Sequence, residues 1–270
     1  MARLATVVAL AAARCAVADT WVSVKSDGSG DFTSLQAALD ALNPAQNTSL
    51  GHVYVALQGH FRERVNVYSN FTGGVTIIGY GPTPADNLIN FNVSGASGPG
   101  TFGSWTFKSD APNVTLVNVA VANSADNYDP KTAGQSVALH LTSEFFACWN
   151  CSLWGAQDTL YTGDTRSRSY FFNTFINGSC DALFGGSATV FDRNHIVMSF
   201  TITAQRGNGS TSYLIQDSLV EVPNGDALLL GACRGGGAPS ASRNRGGRDA
   251  SERTLPQPAA RECPSSTHWA

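Results

Sequence analysis

Five short segments share one pattern, a few apolar residues, one polar residue, then more apolar: TLVNVAV, ACWNCSL, YFFNTFI, VFDRNHI and LIQDSLV. Aligned, they put Asn118, Asn150, Asn173, Arg193 and Asp217 in one column, with gaps of 32, 23, 20 and 24 residues. Apolar runs rich in β-branched and aromatic residues, bounded by Gly, Asn and Asp, read as strands. Strands joined as hairpins or a sandwich would recur roughly every 8–12 residues, with two-residue turns in the hairpins. A period of twenty-odd residues suits a coil with several strands per turn, each turn stacked in parallel about 4.8 Å above the last. The predicted class is all-β, a parallel β-helix whose inward residues merge into one continuous core.

A solenoid needs its open end covered. DFTSLQAALDALNP places Phe32, Leu35, Ala38, Leu39 and Leu42 at helical spacing, with Thr33 or Ser34 as cap and Pro44 as stop. This segment reads as an N-terminal capping helix.

Composition supports a sizeable core, with 43% hydrophobic and 14% charged residues. The net charge of −3 provides no basic field for nucleic acid. Residues 1–18 read as a signal peptide: Arg3, then the apolar LATVVALAAA, then Ala16-Val17-Ala18 as a small-residue cleavage site before Asp19. No later apolar run reaches the ~18 residues that suggest a membrane span, so a secreted, extracellular or cell-wall protein without a membrane partner is expected. Asn47, Asn70, Asn92, Asn113, Asn150, Asn177 and Asn208 all stand in glycosylation sequons, in keeping with export. Once Cys15 leaves with the leader, an odd number of cysteines remains, which implies an unpaired or intermolecular thiol. Cys148 and Cys151 form a C-x-x-C without a second pair at zinc-site spacing, and read as two small residues of a strand-rich core.

The stretch GAQDTLYTGD sets Gln157 beside Asp158 within otherwise strand-like sequence. Asp158 lies 23 residues after Gln135 and 23 before Asp181. With a coil of about that length, the three side chains are expected to share a column on successive turns. Two carboxylates so close cannot both ionise easily, and one pKa should rise. That suits acyl transfer, with one ionised carboxylate as nucleophile, the other as proton donor and later base, and glutamine N–H groups for the oxyanion. A serine hydrolase is disfavoured because no G-x-S-x-G occurs. A metallohydrolase is disfavoured because the five histidines show no paired spacing.

At these residues the chain resembles the pectin methylesterases (pectinesterases). GHFRERV, GQSVALHL, GAQDTLY and CDALFG match four of that family's five characteristic stretches, in order, and SDGSGDFTSLQAAL and FTITAQ are similar to its start and to a later strand. The resemblance spans roughly residues 21–231. It implies a right-handed parallel β-helix, the pectin-lyase-like solenoid, that hydrolyses the C6 methyl ester of polygalacturonate and releases methanol without metal or cofactor. Carried over, Asp181 is the nucleophile, Asp158 the acid/base, Gln135 and Gln157 the anion hole, and Tyr161 and Phe184 substrate-binding aromatics of the groove. Glu63, in the first stretch, is expected to be structural. The expected partner is pectin, or homogalacturonan, bound by a monomer. Ala182 departs from the pattern, since the family usually has an aromatic beside the nucleophile.

The fifth stretch, Leu-Gly-Arg-Pro-Trp, is not matched. LLLG ends at Gly231 and is followed by ACRGGGAPSASRNRGG, so neither the family's Arg nor its Trp falls in place. Residues 19–231 therefore read as a C-terminally incomplete β-helix domain. Residues 232–270 read as a Gly/Arg/Pro/Ser-rich disordered tail, or as the product of a shifted reading frame. On this reading activity is expected to be impaired. The competing readings are a non-catalytic carbohydrate-binding product, and a lyase or galacturonase on the same fold.

Overall fold

The computed structural model describes residues 18–43, 51–125, 134–199, 201–206 and 211–222. The leader-like start, Pro44, the sequons Asn47 and Asn208 and everything after residue 222 lie outside the described residues.

The chain begins with β1 (Thr20–Lys25), helix α1 (Leu35–Ala41), β2 (Val53–Phe61), β3 (Val65–Val67), β4 (Val75–Gly79) and β5 (Asn87–Phe91). A short helix α2 (Gly100–Gly103) precedes β6 (Phe107–Ser109), β7 (Val114–Val117), β8 (Ala120–Asn123) and β9 (Leu139–Leu141). Then come β10 (Phe146–Trp149), β11 (Ser152–Trp154), β12 (Leu160–Tyr161), β13 (Arg168–Phe172), β14 (Phe175–Gly178) and β15 (Leu183–Gly185). The last are β16 (Ala188–Asp192), β17 (His195–Met198), β18 (Thr203–Gln205), β19 (Tyr213–Gln216) and β20 (Leu219–Glu221).

These strands make the expected parallel β-helix. The first face stacks the start of β2 with β4, β7, β10, β13, β16 and β19, and β1 flanks β2. The second stacks the end of β2 with β5, β8, β11, β14, β17 and β20. The third is the six-stranded sheet β3, β6, β9, β12, β15 and β18. All pairings are parallel, so register repeats from coil to coil. On the first face one inward column reads Val55, Ile77, Leu116, Cys148, Phe171, Phe191 and Ile215. On the third it reads Val65, Phe107, Leu139, Leu160, Leu183 and Thr203. Cys148 is thus a core residue, as expected. Cys151 is buried too, and both thiols are free.

The polar column marks the corner between the first two faces. Asn118, Asn150, Asn173, Arg193 and Asp217 all have φ between 47° and 56°, the left-handed region that short polar side chains tolerate best. Their amides form a ladder along the solenoid: Asn150 Nδ2 donates to Asn118 Oδ1, and Asn173 Nδ2 to Asn150 Oδ1, each at 3.0 Å.

Helix α1 closes the N-terminal end, burying Leu35, Ala38 and Leu39. Its N-cap is Ser34, whose hydroxyl accepts from the Ala37 N–H. Glu63 completes the cap. Its carboxylate accepts from the Ser34 hydroxyl at 2.6 Å and from the Leu35 and Gln36 N–H groups at 2.8 and 3.1 Å. Glu63 therefore has the structural part expected of it. No helix among the described residues is long and apolar enough to cross a membrane.

Candidate active site

On the third face the outward column, unlike the core column, is largely polar and aromatic: Asn66, Lys108, His140, Tyr161, Phe184 and, last, Ala204. The two aspartates lie where the chain turns from the second face into the third. Bridges pair Gln135 with Gln157 and Gln157 with Cys180. Asp158 and Asp181, the next residues, therefore stand on adjacent coils in register, about one strand spacing apart. Both have left-handed backbone, with φ of 63° and 48°. The Asp158 N–H donates to the Cys180 carbonyl at 3.0 Å, and the Leu160 N–H to Ala182 at 2.8 Å. These rungs fix the turn.

One expectation needs correction. Gln135 does not share the aspartate column. It lies below Gln157, because this coil holds 22 residues at that rung rather than 23. The glutamines form their own column beside the carboxylates. Gln157 is buried, and the Gln135 amide packs against Gly95 so closely that a Cβ there would lie 2.8 Å from Oε1.

Asp158 is 3% exposed. Burial pushes its carboxyl well above the ordinary carboxylate range, and Asp181 pushes the same way, while Arg206 opposes both. Asp181 is only partly buried. The pair thus differs in environment, which separates two like groups into a proton holder and an accessible carboxylate. Cys180, beside Asp181, is disulfide-bonded. Ala182 is fully buried, and the chain closes tightly on it: a Cβ at Gly178 would come within 2.5 Å of its methyl.

Tyr161 and Phe184 are paired residues of β12 and β15, with ring centroids 5.0 Å apart. Two further rings join them that the motifs do not reveal. Phe102 of α2 meets Tyr161 edge-on at 5.2 Å, and His140 of β9 lies 4.7 Å from Tyr161. Burial lowers the His140 pKa to about 4, with Lys108 contributing. Phe102, Tyr161, Phe184 and Arg206 line a cleft of about 200 Å³. Register alone gives a signal for His140, one coil from Tyr161. Phe102 and Arg206 lie outside any repeat and leave none.

A family model described as Pectinesterase matches residues 21–213. Pectinesterase 31 of Arabidopsis thaliana is 31% identical over 183 residues, 65% of this chain and 55% of its own length. The pectinesterase of Sitophilus oryzae is 31% identical over 195 residues, 60% of this chain and 50% of its own. The chain spans about half the length of these curated relatives. Among solved structures, the pectin methylesterase from carrot superposes with a TM-score of 0.65 at 26% identity, covering 75% of this chain and 63% of that one. Such neighbours are right-handed parallel β-helices, the hand expected here.

Proposed function

The chain belongs to the pectinesterase family, and on that premise we propose that it hydrolyses methyl esters of pectin through its aspartate pair. The observation that carries the reading is the asymmetry of that pair: a buried Asp158 that holds its proton, in register with a more accessible Asp181. Asp181 attacks the ester carbonyl carbon, and the tetrahedral oxyanion takes hydrogen bonds from the Gln135 and Gln157 amides. Asp158 gives its proton to the departing methanol oxygen. As a carboxylate it then takes a proton from water, which attacks the acyl-enzyme and restores Asp181, leaving a free uronate. Tyr161 and Phe184 supply the apolar wall on which a sugar ring rests.

The substrate is methylated homogalacturonan, and the place of action is outside the cell. The disulfide at Cys180 supports that location, since such bonds persist in oxidising compartments. Methanol release from methylated pectin by the purified protein tests the proposal. Unsaturated products would indicate a lyase and new reducing ends a galacturonase. Binding with no product would indicate a non-catalytic protein.

A further inference from the structure

The outer side of the second face holds a hollow of about 630 Å³ that is lined by neither aspartate. Its floor is made of small side chains, Ala120, Ala122 and Ser152, which alternate outward while Val121 and Leu153 point into the core. Trp154 walls the hollow, 43% exposed and with its ring 4.8 Å from that of Phe175. Ring and floor together leave apolar surface in the open, the kind of surface that marks a ligand groove. An aromatic face of this sort takes the apolar side of a sugar ring. Asn177 lines the same hollow and pairs in register with Trp154 of the coil below.

Asn177-Gly178-Ser179 is also an acceptor sequon for N-linked sugar. The point of attachment for a sugar therefore stands beside a ring on which a sugar can rest. Its backbone is fixed, since the Asn177 carbonyl accepts from the Gly155 N–H at 3.2 Å and from the Thr159 hydroxyl at 3.0 Å. Two other described sequons have their amides engaged within the fold. Asn70 donates to Asn43, and Asn150 both donates and accepts in the corner ladder. Asn92 and Asn113 are exposed. We infer that Asn177 carries an N-linked glycan whose first sugar covers Trp154 and occupies the hollow. Ser179 is buried, so attachment precedes the folding of β14. In that step Nδ2 bonds to the anomeric carbon of a polyprenyl-diphosphate-linked oligosaccharide. The diphosphate leaves with the bonding electron pair, and the amide loses one proton. The inference rests on the extracellular reading and not on the esterase chemistry.

The test uses the full chain, secreted from a eukaryotic host through its own leader, with two readouts. Glycopeptide mass spectrometry should find the Asn177 sequon occupied in most molecules. Hydroxyl-radical footprinting should then find Trp154 oxidised severalfold more slowly in the wild type than in N177Q. Trp149, 41% exposed on the first face, should react equally in both and serves as the internal control. Trimming the glycan to its first sugar should leave the protection of Trp154 in place. An unoccupied Asn177 overturns the inference. Sugar at Asn92 or Asn113 in those same molecules would leave the extracellular reading standing, whereas a chain without sugar at any sequon would take that reading down as well. An occupied Asn177 with Trp154 equally reactive in both proteins also overturns the inference, because the glycan then extends into solvent. Methanol release enters neither readout, so the esterase reading stands or falls separately.

Discussion

At Asp158 the backbone and the chemistry make separate demands, and both limit what can replace it. Its φ of 63° favours Asn, Asp or Gly. Its burial favours a neutral group. Asp158→Asn meets both demands and removes only the proton transfer, so the fold should survive while methanol release falls about 10²–10⁴-fold. A loss under tenfold would make Asp158 a structural residue. Asp181→Asn should abolish turnover with little change in the unfolding midpoint, whereas Asp181→Ala adds a strain of about 1–2 kcal/mol at φ 48°. Near wild-type release from a folded Asp181→Asn would exclude Asp181 as nucleophile. Both aspartates, both glutamines and two of the groove rings were legible because each sits in a stretch with family spacing. The column of Gln135 was misread because a constant coil length was assumed, and this coil is one residue shorter. Phe102 and Arg206 enter the groove through side-chain reach between coils, which no short motif encodes, while His140 stands in GQSVALHL and is placed by register alone.

The elements were legible where their corners need a special residue. Four of the five aligned corner residues are Asn or Asp because the left-handed turn selects them. Arg193 is the exception, and its guanidinium lies over the Phe172 ring at 5.6 Å. The first coil escaped the pattern because β2 bends through Gly59, at φ 106°, and presents no polar column residue. Asn150 should be a sensitive rung, since it is both donor and acceptor in the ladder. Asn150→Ala removes those bonds and strains the backbone, for a destabilisation of about 2 kcal/mol by urea unfolding. Asn150→Gly removes only the bonds and should cost less. Equal costs would mean that the left-handed corner contributes nothing. At the other end, Glu63→Gln weakens the charged cap of α1 and should lower stability by about 1 kcal/mol. Turnover per folded molecule should not change. A selective loss of turnover would place Glu63 in the chemistry after all.

Across the whole molecule, two buried groups on successive coils tie stability to pH in opposite directions. The folded His140 pKa, about 4, lies below its ordinary value of about 6.5. The fold rejects that proton, so stability is intact above pH 6.5 and declines as pH falls toward 4, by a total on the order of 3 kcal/mol. The folded Asp158 pKa is raised. The fold retains that proton, so its contribution is full below the unfolded value of about 3.9 and is lost as pH rises through the folded one. Between pH 6.5 and 4, acidification therefore weakens the protein through His140 and strengthens it through Asp158. Single substitutions should separate the two. His140→Phe keeps a ring against Phe102 and Tyr161 and removes the unpartnered buried Nδ1. Relative to wild type it should gain stability progressively as pH falls from 6.5 to 4. Asp158→Asn should do the reverse: its advantage over wild type is largest at neutral pH and shrinks with acid. Titrations of groups not coupled to these two cancel in the differences. Urea midpoints at pH 4.5, 5.5 and 7 are sufficient to read the slopes. Stability differences that stay constant across that range for both variants would show that neither group titrates with a shifted pKa in the fold. The assignment of Asp158 as the held proton would then fail on thermodynamic grounds, before any rate is measured.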